Sequence, residues 1–255
     1  MELKTRGFAL SSRPQGEADR WVRFFTLHAG LIRSSVRGVR KQGGKLAASL
    51  ELFTESDLVL NRKGSGDFNR LTQAKVLSSH ADLKKTLPSI SILQVFSEVL
   101  EQSLPDGEAH PEIYALVLES LDVLGESKDG SDRERVLASL VLHLLDQLGY
   151  PLELARCVEC GASLTRTSAV LVPHRGGAQC PDCSPGSSGL RLSPSARAVV
   201  EKLREWPIRR ALVLKTGPDV SRGVFKTVLG YLERTLENPM KAFPYYLQVV
   251  GLKRG

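Results

Sequence analysis

Apolar and polar positions alternate through the first third of the chain, and helical spacing takes over beyond it. Leu3–Leu10 predicts a strand, closed by Ser11-Ser12-Arg13-Pro14. Trp21–Leu27 and Leu31–Arg40 predict two more, joined by a tight turn at His28-Ala29-Gly30. Leu50–Leu60 and Arg70–Ser78 have the same character. Five short strands in about 80 residues suit a small barrel or sandwich, and the OB-fold is a five-stranded barrel.

Side chains on a strand alternate between its faces. In the third strand this separates Ile32 and Val36, expected inward, from Arg33 and Arg37, which a small core would not hold unpaired. Arg40, Lys41 and Lys45 carry the basic stretch into a Gly43-Gly44 loop, and Arg62 and Lys63 precede the Gly64-Ser65-Gly66 turn. A basic face with basic loops is a track for a phosphate backbone. Trp21, Phe24 and Phe25 are the aromatics available for stacking on bases, against the plainer reading that they fill the barrel.

After Pro88, Leu93, Phe96, Val99, Leu100 and Leu104 fall at helical spacing, as do Ile113, Leu116, Val117, Leu121 and Leu124 after Pro111. Ser131-Asp132-Arg133-Glu134 reads as a capping box that opens a helix, and Val136 to Leu148 is apolar nearly all round, which predicts a central helix. His143 on it is read as a core or boundary residue. Ser193-Pro194 predicts another helix start, with a stop at Pro207, and Val220 to Leu236 predicts a last long helix.

Charge is distributed unevenly. Residues 1–85 hold 16 Lys and Arg against 8 Asp and Glu, a net of +8; residues 86–156 hold 4 against 13, a net of −9; the remainder is again +8. Two basic stretches around an acidic one point to an anionic partner, nucleic acid first, with a merely solvated face as the alternative. No apolar run reaches the roughly 18 residues a membrane span needs. MELKTRGFALSSRPQG has no apolar core of a secretory signal, so a cytoplasmic location is expected, where thiols stay reduced.

That location bears on the cysteines. All four lie in two Cys-x-x-Cys pairs, Cys157/Cys160 and Cys180/Cys183. This is the spacing of a four-cysteine zinc site, with Gly161 and Pro181 suited to the two turns and a short hairpin between them. Four thiolates complete a tetrahedron, so one structural Zn2+ per chain is expected, and His174 is not needed as a ligand. Phosphate-binding loops, dinucleotide fingerprints, H-E-x-x-H and G-x-S-x-G are all missing from the sequence. No active site is expected.

Several stretches together resemble the RecO family of bacterial recombination mediators. Ser12-Arg13 followed by Glu17 and Asp19 is similar to the family's first turn, and GLIRSSVRGVRK to its third strand and basic loop. KLAASLELFTESDLVL resembles the next strand, and LDQLGYPLELARCVECG the junction into the cysteines. The resemblance implies an α+β multidomain protein: an N-terminal OB-fold barrel (1–80), a helical domain in two parts (81–153 and 191–255), and an inserted four-cysteine zinc finger (154–190). It implies a protein that binds single- and double-stranded DNA and anneals complementary strands. With RecR, and RecF in some settings, such a protein loads RecA onto DNA coated by single-stranded DNA-binding protein, whose acidic tail it also binds. Carried onto this chain, Arg13, Arg33, Arg37, Arg40 and Lys41 become DNA contacts, and Arg204, Arg209 and Arg210 a site for the acidic tail. The rival readings are a DNA-processing enzyme that grips with a zinc finger, and a zinc protein associated with RNA or transcription.

Overall fold

The computed structural model describes residues 2–39, 46–62, 68–150, 152–186 and 189–251, with the side chains of Arg62, Phe68 and Asn69 excluded. Arg40, Lys41, Lys45 and Lys63 lie outside the described residues. The chain forms two units: residues 1–115 with 240–255, and residues 116–239.

Five strands of the first unit close a barrel. They are β1 (Glu2–Gln15), β2 (Asp19–Thr26), β3 (Gly30–Val36), β4 (Glu55–Arg62) and β5 (Phe68–Ser78), in the order β1-β2-β3-β5-β4. All pairs are antiparallel except β3 with β5. This is the OB-fold. Its centre is filled by Ala9, Val22, Phe24, Ile32, Val36, Leu58, Leu60 and Leu71. The inward placing of Ile32 and Val36 follows the alternation in the sequence.

β1 does not stop at Ser11. Its ladder with β4 runs from Glu2 to Phe8, but its ladder with β2 continues to Gln15. There β1 has no second strand neighbour among the described residues, so Pro14 is tolerated despite its missing N–H. One residue, Leu10, is inserted between the paired positions Ala9 and Ser11. The bulge reverses the alternation: without it, Ser11 and Arg13 would share the inward face of Ala9. The Leu10 carbonyl accepts a hydrogen bond from Ser97 Oγ at 2.8 Å.

Two other strand bounds differ from expectation. β3 ends at Val36 because Gly38 takes a left-handed turn (φ +68°), with its N–H donated to Asp19 Oδ1 at 3.0 Å. The strand expected over Leu50–Leu60 begins only at Glu55. Ala47–Leu50 is instead a 3-10 turn, and Phe53 has φ +51°. Tertiary packing explains that unusual backbone. The Phe53 ring is fully buried, 4.6 Å from Phe96 and 6.3 Å from Phe8 between centroids.

Helix α1 (Leu87–Ser103) follows the barrel, capped by Thr86 accepting the Ser89 N–H at 3.3 Å. The unit boundary falls within α2 (Pro111–Gly125). Near its start Tyr114 packs on Phe8 and Phe25 and donates its hydroxyl to Glu55 Oε1 at 3.0 Å. Burial, and then the Glu55 carboxylate, push the phenol pKa well up, so it remains a donor. Helix α6 (Ala242–Val249) packs on α1, and the Glu98 carboxylate accepts the N–H groups of Lys241 (2.8 Å) and Ala242 (2.6 Å).

The second unit is built on α3 (Gly130–Gln147), against which α4 (Pro194–Glu205) and α5 (Pro218–Thr235) pack. Val136 to Leu142 are buried without a break, as an all-round apolar helix requires. The cap is not Ser131. Asp129 accepts the Asp132 N–H, and Asp132 reaches back to the Lys128 N–H, both at 2.9 Å. A carboxylate here also favours the positive end of the helix dipole. Its placing two residues earlier leaves the second oxygen of Asp132 for Arg135.

Arg135 is buried. Its guanidinium donates to Asp132, to the Ala211 carbonyl (3.0 Å) and to Ser221 Oγ (3.1 Å), tying three segments of the unit together. Arg135→Met is expected to cost about 3–5 kcal/mol, because it strands a buried carboxylate. The double change with Asp132→Asn should recover part of that. Denaturant unfolding of both single variants and the double measures it, and a double loss equal to the sum of the single losses would show that the pair is not coupled.

Candidate nucleic-acid interface and metal centre

Because Val22, Phe24, Ile32 and Val36 point into the barrel, Trp21, Arg23, Arg33 and Ser35 point out. The bulge at Leu10 puts Ser11 and Arg13 on the same outer face, with Arg13 opposite Trp21 and Ser11 opposite Arg23. Ser11, Arg13, Trp21, Arg23 and Arg33 line a cleft of about 560 Å3. Arg13 and Arg33 are exposed at it; Trp21 and Arg23 are half-buried. Phe24 fills the barrel and Phe25 packs on Tyr114, so of the three aromatics only Trp21 belongs to the cleft.

Arg37 is exposed just beyond β3 and lines a second cleft with Thr72 and Gln73. Arg62 closes β4. Arg23 escaped the sequence reading. The alternation that exposes Trp21 also exposes Arg23, and the β2–β3 ladder sets it opposite Arg33.

In the second unit the cysteines follow a different logic. β6 (Ala169–Val172) and β7 (Gly177–Gln179) form a hairpin, and β8 (Leu190–Leu192) pairs on the far side of β6. The first cysteine turn closes through Gly161, whose N–H donates to the Cys157 carbonyl at 2.9 Å with φ +73°. The second follows β7, and its Ser184 donates to the Cys180 carbonyl at 2.8 Å. The Val158 N–H donates to the Ala178 carbonyl at 2.9 Å and holds the first turn against the hairpin. Gly177 is required at this seam: a Cβ there would lie 2.5 Å from Val158 Cγ1 and 2.7 Å from the Glu153 carbonyl oxygen.

The four sulfurs lie within 4.8 Å of one another, and Cys160 Sγ is 3.8 Å from Cys180 Sγ. Sulfurs about 2.3 Å from a central ion in a tetrahedron are about 3.8 Å apart, so the set fits a metal ion and not a disulfide. The electrostatics agree. Burial raises the Cys157 thiol, but N–H groups of Cys160, Cys180 and Glu159 aimed at its sulfur outweigh that and hold it at about 6. Cys183 is pushed well up by hydrogen bonding with Cys180 and Cys160. A central divalent cation would relieve this competition and let all four ionise. Four sulfurs around one ion would leave it no open position, the arrangement of a structural site.

The proposed tail-binding arginines lie in distinct settings. Arg204 chelates Asp146 (2.7 and 3.0 Å) and donates to the Leu152 carbonyl, anchoring α4 to the end of α3. Arg209 pairs with both oxygens of Glu126 at 2.5 and 2.6 Å. Arg210 and Lys202 both lie over the Trp206 ring, at 5.0 and 5.5 Å from its centroid.

An OB barrel with arginines along an outer cleft, followed by helices that carry a four-cysteine cluster, defines a class of protein. Comparison with known proteins identifies which one. Residues 1–80 match the family described as Recombination protein O N terminal, and residues 85–243 match Recombination protein O C terminal. The chain therefore belongs to the RecO family of DNA repair proteins. It is 28% identical to the DNA repair protein RecO of Dehalococcoides mccartyi, over 94% of this chain and 93% of that one. It is 28% identical to that of Symbiobacterium thermophilum (92% and 93%) and 29% to that of a Roseiflexus species (95% and 84%). Among the described residues no helix is long and apolar enough to cross a membrane.

Proposed function

We propose that this protein is a recombination mediator that works in the cytoplasm, at the nucleoid, by binding alone. It binds single- and double-stranded DNA on the outer face of β1–β3 and anneals complementary strands. With RecR, and RecF where present, it helps load RecA onto DNA coated by single-stranded DNA-binding protein. The observation that carries this reading is the cleft in which Arg13, Arg23 and Arg33 surround Trp21. The arginines would neutralise phosphates and release counterions, and the indole would stack on a base. Arg37 and the neighbouring basic positions Arg40, Lys41, Lys45, Arg62 and Lys63 would extend the track. Two strands held on one scaffold gain effective concentration and lose mutual repulsion.

The barrel is proposed to carry the DNA, and the four cysteines to hold one zinc ion that stiffens the insert. The acidic tail of single-stranded DNA-binding protein is proposed to dock where Arg210 and Lys202 flank Trp206, with Arg209 beside it and Arg204 holding the helix in place. Fluorescence anisotropy of a labelled single strand across a salt series tests the reading. Log affinity should fall with log salt by about 0.7 for each phosphate contacted. Binding that ignores salt would contradict it.

A further inference from the structure

Two carboxylates stand beside the arginines of this face, one of them in the cleft itself. Glu101, in the last turn of α1, lines it and accepts a hydrogen bond from Ser11 Oγ at 2.6 Å. A carboxylate at the negative end of a helix is unfavourable by itself and gains from nearby cations. Asp106 pairs with Arg23. Its position is fixed by the backbone: it bridges Leu31 of β3, and the next N–H, that of Gly107, donates to the Leu31 carbonyl at 2.8 Å. The fit is close. A Cβ on Gly30 would lie 1.7 Å from the Glu108 carbonyl oxygen, so only glycine lets this segment lie on the barrel.

Arg23 and Arg33 face each other across the β2–β3 ladder. Like charges directly opposite repel, and an anion between them relieves the repulsion. In the free protein Asp106 supplies it to Arg23. Arg23 Nε is nevertheless buried without a hydrogen-bond partner among the described residues.

We propose that Glu101 and Asp106 are affinity-setting residues: their carboxylates place negative charge where a bound strand would bring phosphates, and DNA must displace Asp106 from Arg23 and approach past Glu101, which Ser11 holds at the cleft. The proposal rests on the cleft being the DNA site. The end of α1 and the segment after it then act as a built-in competitor. They keep the barrel's hold on DNA weak enough for strands to exchange during annealing.

The test is anisotropy of a labelled oligothymidine with the full chain. E101Q/D106N keeps an acceptor for Ser11 and for Arg23 but removes both charges. It should bind about tenfold more tightly than wild type at about 50 mM salt, with a salt slope steeper by about 0.7 for each phosphate newly neutralised. Arg23→Gln added to that variant should abolish the gain. If the double variant melts below wild type, Asp106→Asn alone, at a half-exposed carboxylate, decides with an expected gain of about threefold. Unchanged affinity and slope would overturn the proposal. A separate failure, no loss of binding in R13E/R33E, would instead remove the cleft as the DNA site.

Discussion

Replacing Arg13 and Arg33 together with glutamate is expected to weaken single-strand binding by roughly 100-fold at low salt, because each reversal removes a released counterion and adds a repulsion. Both side chains are exposed on the outer face, so stability should stay within about 0.5 kcal/mol of wild type. Arg13 reaches this face only through the bulge at Leu10, and Arg33 only through the inward packing of Ile32. The effect should shrink as salt rises, since screening removes what the charges contribute. Anisotropy titrations with a thermal melt alongside provide the check. A stable variant with wild-type affinity would remove the β1–β3 face from DNA binding.

The second large effect concerns the metal. Protein purified without chelator is expected to contain one zinc per chain, and Cys157→Ser with Cys180→Ser none. Structural zinc in small finger domains contributes roughly 10–16 kcal/mol of apparent binding energy, so its loss should unfold the segment and not merely loosen it. The insert's other ties are three short strands, the seam at Gly177, and Arg197, which donates to the carbonyls of Leu154 and Thr165. Hydrogen exchange should show lost protection at Val158, Ala178 and Cys180, whose N–H groups donate within the site. DNA binding through the barrel should survive. Metal-free protein with undiminished protection in this segment would rule out the structural role.

Much of this arrangement could be read from the residues. Alternation placed Ile32, Val36 and Arg33 correctly, and the cysteine spacing located a site whose sulfurs do converge. Missed features depend on contacts distant in sequence. The bulge at Leu10 is stabilised by Ser97, and the left-handed Phe53 by a pocket between Phe8 and Phe96. Asp129 is the cap in place of Ser131, at the start of a helix whose Arg135 is held by Asp132 and, from far along the chain, by Ala211 and Ser221. Arg23 was legible from the period of β2, but Glu101 and Asp106 were not. The packing of α1 brings the Glu101 carboxylate to the barrel, and the return of the chain after it brings that of Asp106.

Strand annealing tests the central claim most directly. Two complementary DNA strands, each precoated with single-stranded DNA-binding protein, are mixed without ATP, and duplex formation is followed with and without this protein. Acceleration by the wild type, lost in R13E/R33E, is the predicted result and fits a mediator that works by binding. Wild-type protein that binds the coated strands yet leaves the annealing rate unchanged would contradict the account.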